Sequence, residues 1–233
     1  MEMQEPGRNE AIMKRQRARR LFRWLFNTLT RVKAEGLDNL PSTGGYILAS
    51  NHMSRIDPPL IFIFVERQDF TGLVANKYRN NLFIRPIVKI VDGIYINRES
   101  ADAGALREAR RYLRQGGVLG IAPEGTRSHI GELLPAKTGV AYLADKAGVP
   151  VLPIAIIGTD KAVSQLLHLR RPNLGIKFGR PFGLPPIRRE HREEDMQRNT
   201  DEIMCRIAAM LPRRYHGAYT GHPRLEELLS QGE

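Results

Sequence analysis

The sequence predicts a single α/β domain, a central mixed β-sheet flanked by helices, with a basic amphipathic helix in front of it. Three observations carry that prediction. From Gly36 onward, short aliphatic and β-branched runs alternate with stretches of helical periodicity; glycine and proline fall between them; and residues 14–32 set apolar side chains at helical spacing with no acidic residue among them. At 233 residues and 42% hydrophobic, the chain can bury one substantial core. The expected division is residues 1–34 as the basic segment and 35–233 as the domain.

In the basic segment, Lys14, Arg15, Arg17, Arg19, Arg20 and Arg23 run into Leu21, Phe22, Trp24, Leu25, Phe26, Leu29 and Val32. At 100° per residue the apolar side chains fill one broad arc, with Arg20, Arg23, Asn27, Thr30 and Arg31 opposite. Two placements suit such a helix. One lays it in a membrane interface, with Trp24 and the two phenylalanines in the acyl boundary and the arginines on anionic headgroups. The other packs it on its own domain.

Beyond it, Gly45–Ser50 reads as a strand followed by a helix from Pro58, and Gly72–Ala75 as a second strand. Helical spacing covers Asn81–Ile90, and Gly93–Asn97 is a third strand. Ser100 is expected to cap the next helix, with Asp102 in its first turn, Leu106, Ala109 and Leu113 on one face, and Gly116-Gly117 ending it. Strands at Val118–Ala122, Val149–Ile157 and Ile176–Phe178, a helix over Thr138–Lys146 and a closing amphipathic helix over Glu193–Leu211 complete the alternation. There is no internal repeat.

A net charge of +11 and a pI near 10.1 call for an anionic partner, which admits nucleic acid, acidic lipid or a phosphorylated substrate. Cys205 is the only cysteine, so an intrachain disulfide is impossible and a reducing, cytoplasm-facing setting is expected. The longest apolar runs, Leu60–Val65 and Val151–Gly158, fall far short of the roughly 20 residues of a spanning helix. The basic start lacks the pattern of a signal peptide. No Cys/His group has zinc spacing and no glycine-rich nucleotide fingerprint appears, so no metal or redox cofactor is expected.

The chemistry concentrates after the first core strand, in Asn51-His-Met-Ser-Arg-Ile-Asp57. A histidine and an aspartate five positions apart at a strand-to-helix junction supply a base and its orienter: the imidazole takes a proton from an alcohol, and the carboxylate fixes its tautomer. Alone, such a pair more often serves as a cap or surface contact. Three further blocks accompany it: Gly93-Ile-Tyr-Ile-Asn-Arg98, Ala122-Pro-Glu-Gly-Thr-Arg-Ser128 and Val149-Pro-Val-Leu-Pro-Ile-Ala155.

In this order the four blocks resemble the glycerolipid acyltransferase family, whose best-known members are the 1-acylglycerol-3-phosphate acyltransferases; the resemblance runs from about Leu37 to Pro181. It implies that His52 and Asp57 are the catalytic pair, activating an acceptor hydroxyl for direct attack on an acyl thioester. It implies that Arg127 holds the acceptor phosphate, with Arg98 and Lys77 as weaker candidates for the same task. Guanidinium forks match phosphate oxygens, and Gly125 permits close backbone approach. Glu124, Gly125 and Thr126 are expected to support the loop. Two positions depart from the family's habit: Ala122 stands where an aromatic residue is usual and Asn97 where aspartate is common, which bears on acceptor shape rather than on the reaction. With no serine or cysteine in a nucleophile motif, transfer is expected in one step.

The expected partners are an acyl-CoA or acyl-carrier-protein thioester, a lysophospholipid acceptor and an anionic membrane on its cytoplasmic face, and not nucleic acid. Glycerol 3-phosphate or another lysolipid is the alternative acceptor. From another class, charge alone supports a basic nucleic-acid-binding domain, and no helix-turn-helix or RNA-binding signature joins it.

Overall fold

The computed structural model describes the backbone of residues 6–82, 84–97 and 102–232 and the side chains from Asn9 onward. The strands are β1 (Arg31–Glu35), β2 (Tyr46–Ser50), β3 (Phe70–Ala75), β4 (Ile94–Ile96), β5 (Val118–Ile121), β6 (Val151–Ile157) and β7 (Asn173–Phe178). The helices are α1 (Pro6–Leu29), α2 (Asp57–Phe64), α3 (Ile84–Ile90), α4 (Ala103–Arg114), α5 (Gly139–Ala147), α6 (Thr159–Leu167), α7 (Arg192–Ala209) and α8 (Pro223–Gln231). One seven-stranded sheet runs in the order β1-β7-β6-β2-β5-β3-β4, parallel at every pairing except β6 with β7. The expected mixed sheet is present.

All five β2 residues are buried, as a strand covered on both faces requires, and alternate residues serve opposite layers. Tyr46 and Leu48 pack with Leu60, Ile63, Phe70, Ile154 and Phe26 beneath α1, α2 and α6. Ile47 and Ala49 pack with Leu113, Leu143, Ile203, Ile207 and Leu225 beneath α4, α5, α7 and α8. Each fully buried aliphatic side chain is worth about 1.5–3 kcal/mol of transfer free energy, so the two layers fix the sheet between them.

Several expectations change. Val32 belongs to β1, not to the helix, and β1 pairs with β7 in register Val32↔Leu174, so the boundary expected at residue 34 falls inside a strand. The inner face of α1 carries arginines. Arg19 donates from Nε to the Phe62 carbonyl (3.1 Å) and from Nη2 to that of Val65 (2.8 Å), and Arg23 donates to Ile63 O (2.8 Å). The last carbonyls of α2 have no intrahelical partner, and these guanidiniums meet them. Arg15 reaches Phe70 O (3.0 Å) and Asp92 (2.8 Å). The phenylalanines turn inward with them: Phe22 meets Phe62 edge-to-face and Phe26 is buried, while Trp24 is 61% exposed. Asp102, not Ser100, caps α4, accepting from Ala105 N (3.0 Å); Ser100 lies outside the described residues. The sequence patterning did not anticipate α6 or α8. No described helix is long and apolar enough to cross a membrane.

Candidate active site

The site forms where β2 ends, in mid-sheet between β6 and β5. Asn51 is buried, and its amide donates to Ile156 O (2.8 Å) and accepts from Ile156 N (2.7 Å). The side chain thereby supplies one more rung of the ladder after the β2 backbone has turned away. That turn brings three donors onto one oxygen of Asp57: Met53 N and Ser54 N at 2.7 Å each and His52 Nδ1 at 2.9 Å all meet Oδ2. An ionised carboxylate only accepts, so the network assigns the proton to Nδ1 and leaves the lone pair on Nε2, which has no partner among the described residues. Asp57 is 1% exposed and opens α2, where the positive end of the helix dipole favours its charge. Its other oxygen, Oδ1, is buried without a hydrogen-bond partner among the described residues.

The loop after β5 clamps the same histidine by its backbone. His52 N donates to Glu124 Oε1 (2.9 Å), and His52 O accepts from Ser128 N (2.8 Å). The second oxygen of Glu124 accepts from Leu134 N (2.9 Å), so one buried carboxyl joins the histidine to both limbs of the loop. Burial pushes that carboxyl up to about 7 against the opposing pull of the Leu134 and His52 N–H groups, and the negative charge of Asp57 pushes the same way as burial. Gly125 has φ +69°, a backbone conformation that strains any residue with a side chain, and the Lys137 stem lies against it.

Arg127 is half-buried, makes no hydrogen bond or ion pair among the described residues, and precedes the residue bonded to His52 O. Thr126 is exposed beside it. Lys77 is exposed in the turn after β3, its ammonium 5.5 Å from the Tyr78 ring centre. Arg98 lies outside the described residues; its neighbour Asn97 follows β4, donating from its backbone N to Asp102 (3.0 Å). The turns after β2, β3, β4 and β5 all leave the same edge of the parallel strands, the edge at which α/β sheets build their sites.

Sequence reasoning gave no role to Asn51, to the Leu134 N–H or to the segment 215–219. That segment holds the loop from behind: Leu133 N donates to Tyr215 O (2.8 Å) and Ala136 N to the Tyr219 hydroxyl (3.2 Å). Among the described residues no three His, Cys, Asp or Glu side chains converge as metal ligands do.

Residues 31–157 match the family model of the acyltransferases, which includes both catalytic-pair candidates and the loop after β5. The chain is 31% identical over 127 residues to a 1-acyl-sn-glycerol-3-phosphate acyltransferase of Borreliella burgdorferi, covering 54% of this chain and 50% of that one. It is 32% identical over 130 residues to the mouse 1-acyl-sn-glycerol-3-phosphate acyltransferase alpha, covering 54% and 45%. It thus spans about half the length of these curated relatives. The crystal structure of a 1-acyl-sn-glycerophosphate acyltransferase from Thermotoga maritima superposes with a TM-score of 0.61 at 27% identity, covering 87% of this chain and 81% of that one. With more than half of its residues matched by the family model, this chain belongs to the acyltransferase family.

Proposed function

We propose that this protein transfers a fatty acyl group from an acyl thioester, of coenzyme A or acyl carrier protein, to the sn-2 hydroxyl of 1-acylglycerol 3-phosphate, giving phosphatidic acid at the cytoplasmic face of a membrane. The observation that carries the reading is the imidazole of His52, held by Asp57 through Nδ1 with Nε2 open, beside a loop whose Arg127 guanidinium is unengaged. The names of the relatives support the acceptor.

In this reading Nε2 takes the hydroxyl proton as the oxygen attacks the thioester carbonyl. The imidazolium that forms faces the Asp57 carboxylate. Collapse of the tetrahedral intermediate breaks the C–S bond, and Nε2 returns the proton to the departing sulfur, leaving His52 as it began. Arg127 holds the acceptor phosphate, assisted by Lys77 and Arg98. No acyl-enzyme is needed. Cys205 is buried in α7 with its thiol pushed up to about 12 by burial, which withholds the thiolate a nucleophile requires. A membrane setting suits a substrate whose acyl chains leave lipid at about 0.8 kcal/mol per methylene.

The test is thiol release from oleoyl-CoA with lysophosphatidic acid or glycerol 3-phosphate as acceptor. Release that depends on lysophosphatidic acid and disappears in His52→Ala is the expected result. Release with glycerol 3-phosphate alone would reassign the acceptor, and release undiminished in His52→Ala would remove the proposed base.

A further inference from the structure

The exposed apolar side chains are unevenly distributed. Outside α1, which exposes Met13, Leu21, Trp24 and Leu29, the exposed large apolar residues Leu82, Ile130, Val163, Leu167 and Leu169 lie on connections at the edge that carries His52, and Leu37 lies at the opposite edge. The densest group is on α6 and the turn after it. Because β7 is antiparallel to β6, the chain leaves the site edge at Gly158 and returns to that edge at Asn173, so residues 158–172 form an excursion that never crosses the sheet. Its inner face is small, Thr159 and Ala162. Its outer face mixes Lys161, Ser164 and His168 with large apolar side chains: Val163 is exposed, Leu167 is 79% exposed and Leu169 98%.

The helix ends in a paired motif, Arg170 N donating to Gln165 O (2.8 Å) and Leu169 N to Leu166 O (3.0 Å), with Leu169 at φ +56°. Glycine is the usual residue at that position, because a side chain there is strained. The backbone of Leu169 closes the helix, but its side chain, with almost its whole surface in water, adds nothing to that closure or to the core. The surrounding charge is positive: Lys161, Arg170 and Arg171 are exposed, and the one acid, Asp160, accepts from the Tyr215 hydroxyl (3.1 Å). Arg171 donates to Thr30 O (3.1 Å) and to Asn27 O, which ties the excursion to the end of α1, and α1 in turn exposes Leu21, Trp24, Arg17 and Arg20.

We propose that the excursion Gly158–Arg171 is a membrane-docking element, inserting Val163, Leu167 and Leu169 into an anionic bilayer while Lys161 and Arg170 meet the headgroups. Apolar tips ringed by cations fit a lipid surface, whose interior takes the leucines and whose phosphates take the charges. The element sits on the catalytic edge and is continuous with α1, so docking through it brings the His52 loop to the bilayer. This inference rests on the membrane setting of the proposed function.

The test is co-sedimentation of the full chain with phosphatidylcholine vesicles with and without phosphatidylglycerol, comparing wild type, Leu167→Ser/Leu169→Gly and Leu37→Ser. Glycine suits the backbone at position 169, so the double variant keeps its fold, and a melting curve checks that. The expected result is a loss of about tenfold in binding to phosphatidylglycerol vesicles for the double variant and none for Leu37→Ser. Unchanged binding in the double variant, or an equal loss in Leu37→Ser, overturns the proposal. So does a wild-type dimer that the double variant converts to monomer, because the face would then belong to a second copy of the chain. Vesicle binding is read without catalysis: if binding falls as expected while wild-type protein transfers nothing to lysophosphatidic acid, the docking element stands and the proposed reaction fails.

Discussion

Asp57→Asn separates two roles that the structure assigns to one side chain. Oδ2 closes the turn by accepting from Met53 N and Ser54 N, and it orients the imidazole by accepting from Nδ1. If the asparagine carbonyl takes the place of Oδ2, all three hydrogen bonds survive and only the charge is lost. The new amide nitrogen then occupies the site of Oδ1, where no acceptor is present among the described residues, and one unsatisfied buried group costs about 1–3 kcal/mol of stability.

The effect on turnover is larger. In the proposed mechanism the imidazolium of the transition state and the carboxylate would face each other across 2.9 Å, with 14% and 2% of their side-chain surfaces exposed, so screening is weak. Taking about 4 Å between charge centres and an effective dielectric constant of about 20, their attraction is about 4 kcal/mol, or about a thousandfold in rate. The expected outcome is a folded protein with kcat down about a thousandfold and the acceptor KM within a few-fold of wild type, from initial rates with both substrates varied and a thermal melt. A fall in kcat of less than tenfold in folded protein would refute the reasoning and leave Asp57 as a residue that closes a turn.

Arg127→Ala should raise the acceptor KM by roughly ten- to a hundredfold, the worth of a charge-assisted pair, with kcat little changed; equal kinetics for wild type and variant would end the phosphate role. Glu124 keeps its proton up to about 7 in the fold against an ordinary 4.5, so its contribution is harmless below pH 4.5 and destabilising as pH rises toward 7, by about 3 kcal/mol at the upper end. Urea melts of wild type against Glu124→Ala across that range should show the stability difference between them shift by about that amount, and a difference independent of pH would contradict it. Asn51→Ala strips two hydrogen bonds from Ile156 at the centre of the sheet and should cost about 3 kcal/mol by denaturant melt.

What was legible in the sequence follows from how far apart the interacting groups stand. Tyr46–Ser50 announces a central strand because every one of its residues is buried, and His52 with Asp57 announces a site because both partners fall within one turn. β1 escaped because Arg31-Val-Lys-Ala-Glu35 is an edge strand that turns charges to solvent, and its one large apolar residue, Val32, lies on the arc of the preceding helix. α6 escaped because its buried residues, Thr159 and Ala162, are too small to mark an apolar stripe, while Val163 and Leu167 are exposed among Lys161 and Ser164. The Glu124 clamp has only backbone N–H groups as partners, and these leave no letter in a sequence. The buried arginines of α1 answer carbonyls more than 40 positions away, so their spacing looks like that of a solvated face.

Those arginines change what α1 is for. Its inner face caps the last carbonyls of α2, and the first residue of α2 is Asp57, so one short helix joins the α1 contact to the turn that holds His52. Removing α1 would leave the carbonyls of Phe62, Ile63 and Val65 without donors and expose the apolar residues that Phe22 and Phe26 cover. A truncated chain that fails to bind vesicles would therefore report on the fold as much as on the membrane. The outward residues isolate the proposed membrane role: Leu21 and Trp24 face solvent opposite Arg19 and Phe26, so replacing them with serine removes apolar surface while leaving the cap on α2 in place. In the proposed membrane setting, a helix whose inner arginines brace the His52–Asp57 turn and whose outer leucine and tryptophan met lipid would place the proposed base at a fixed height above the bilayer, which a flexible tether to the same domain would not do.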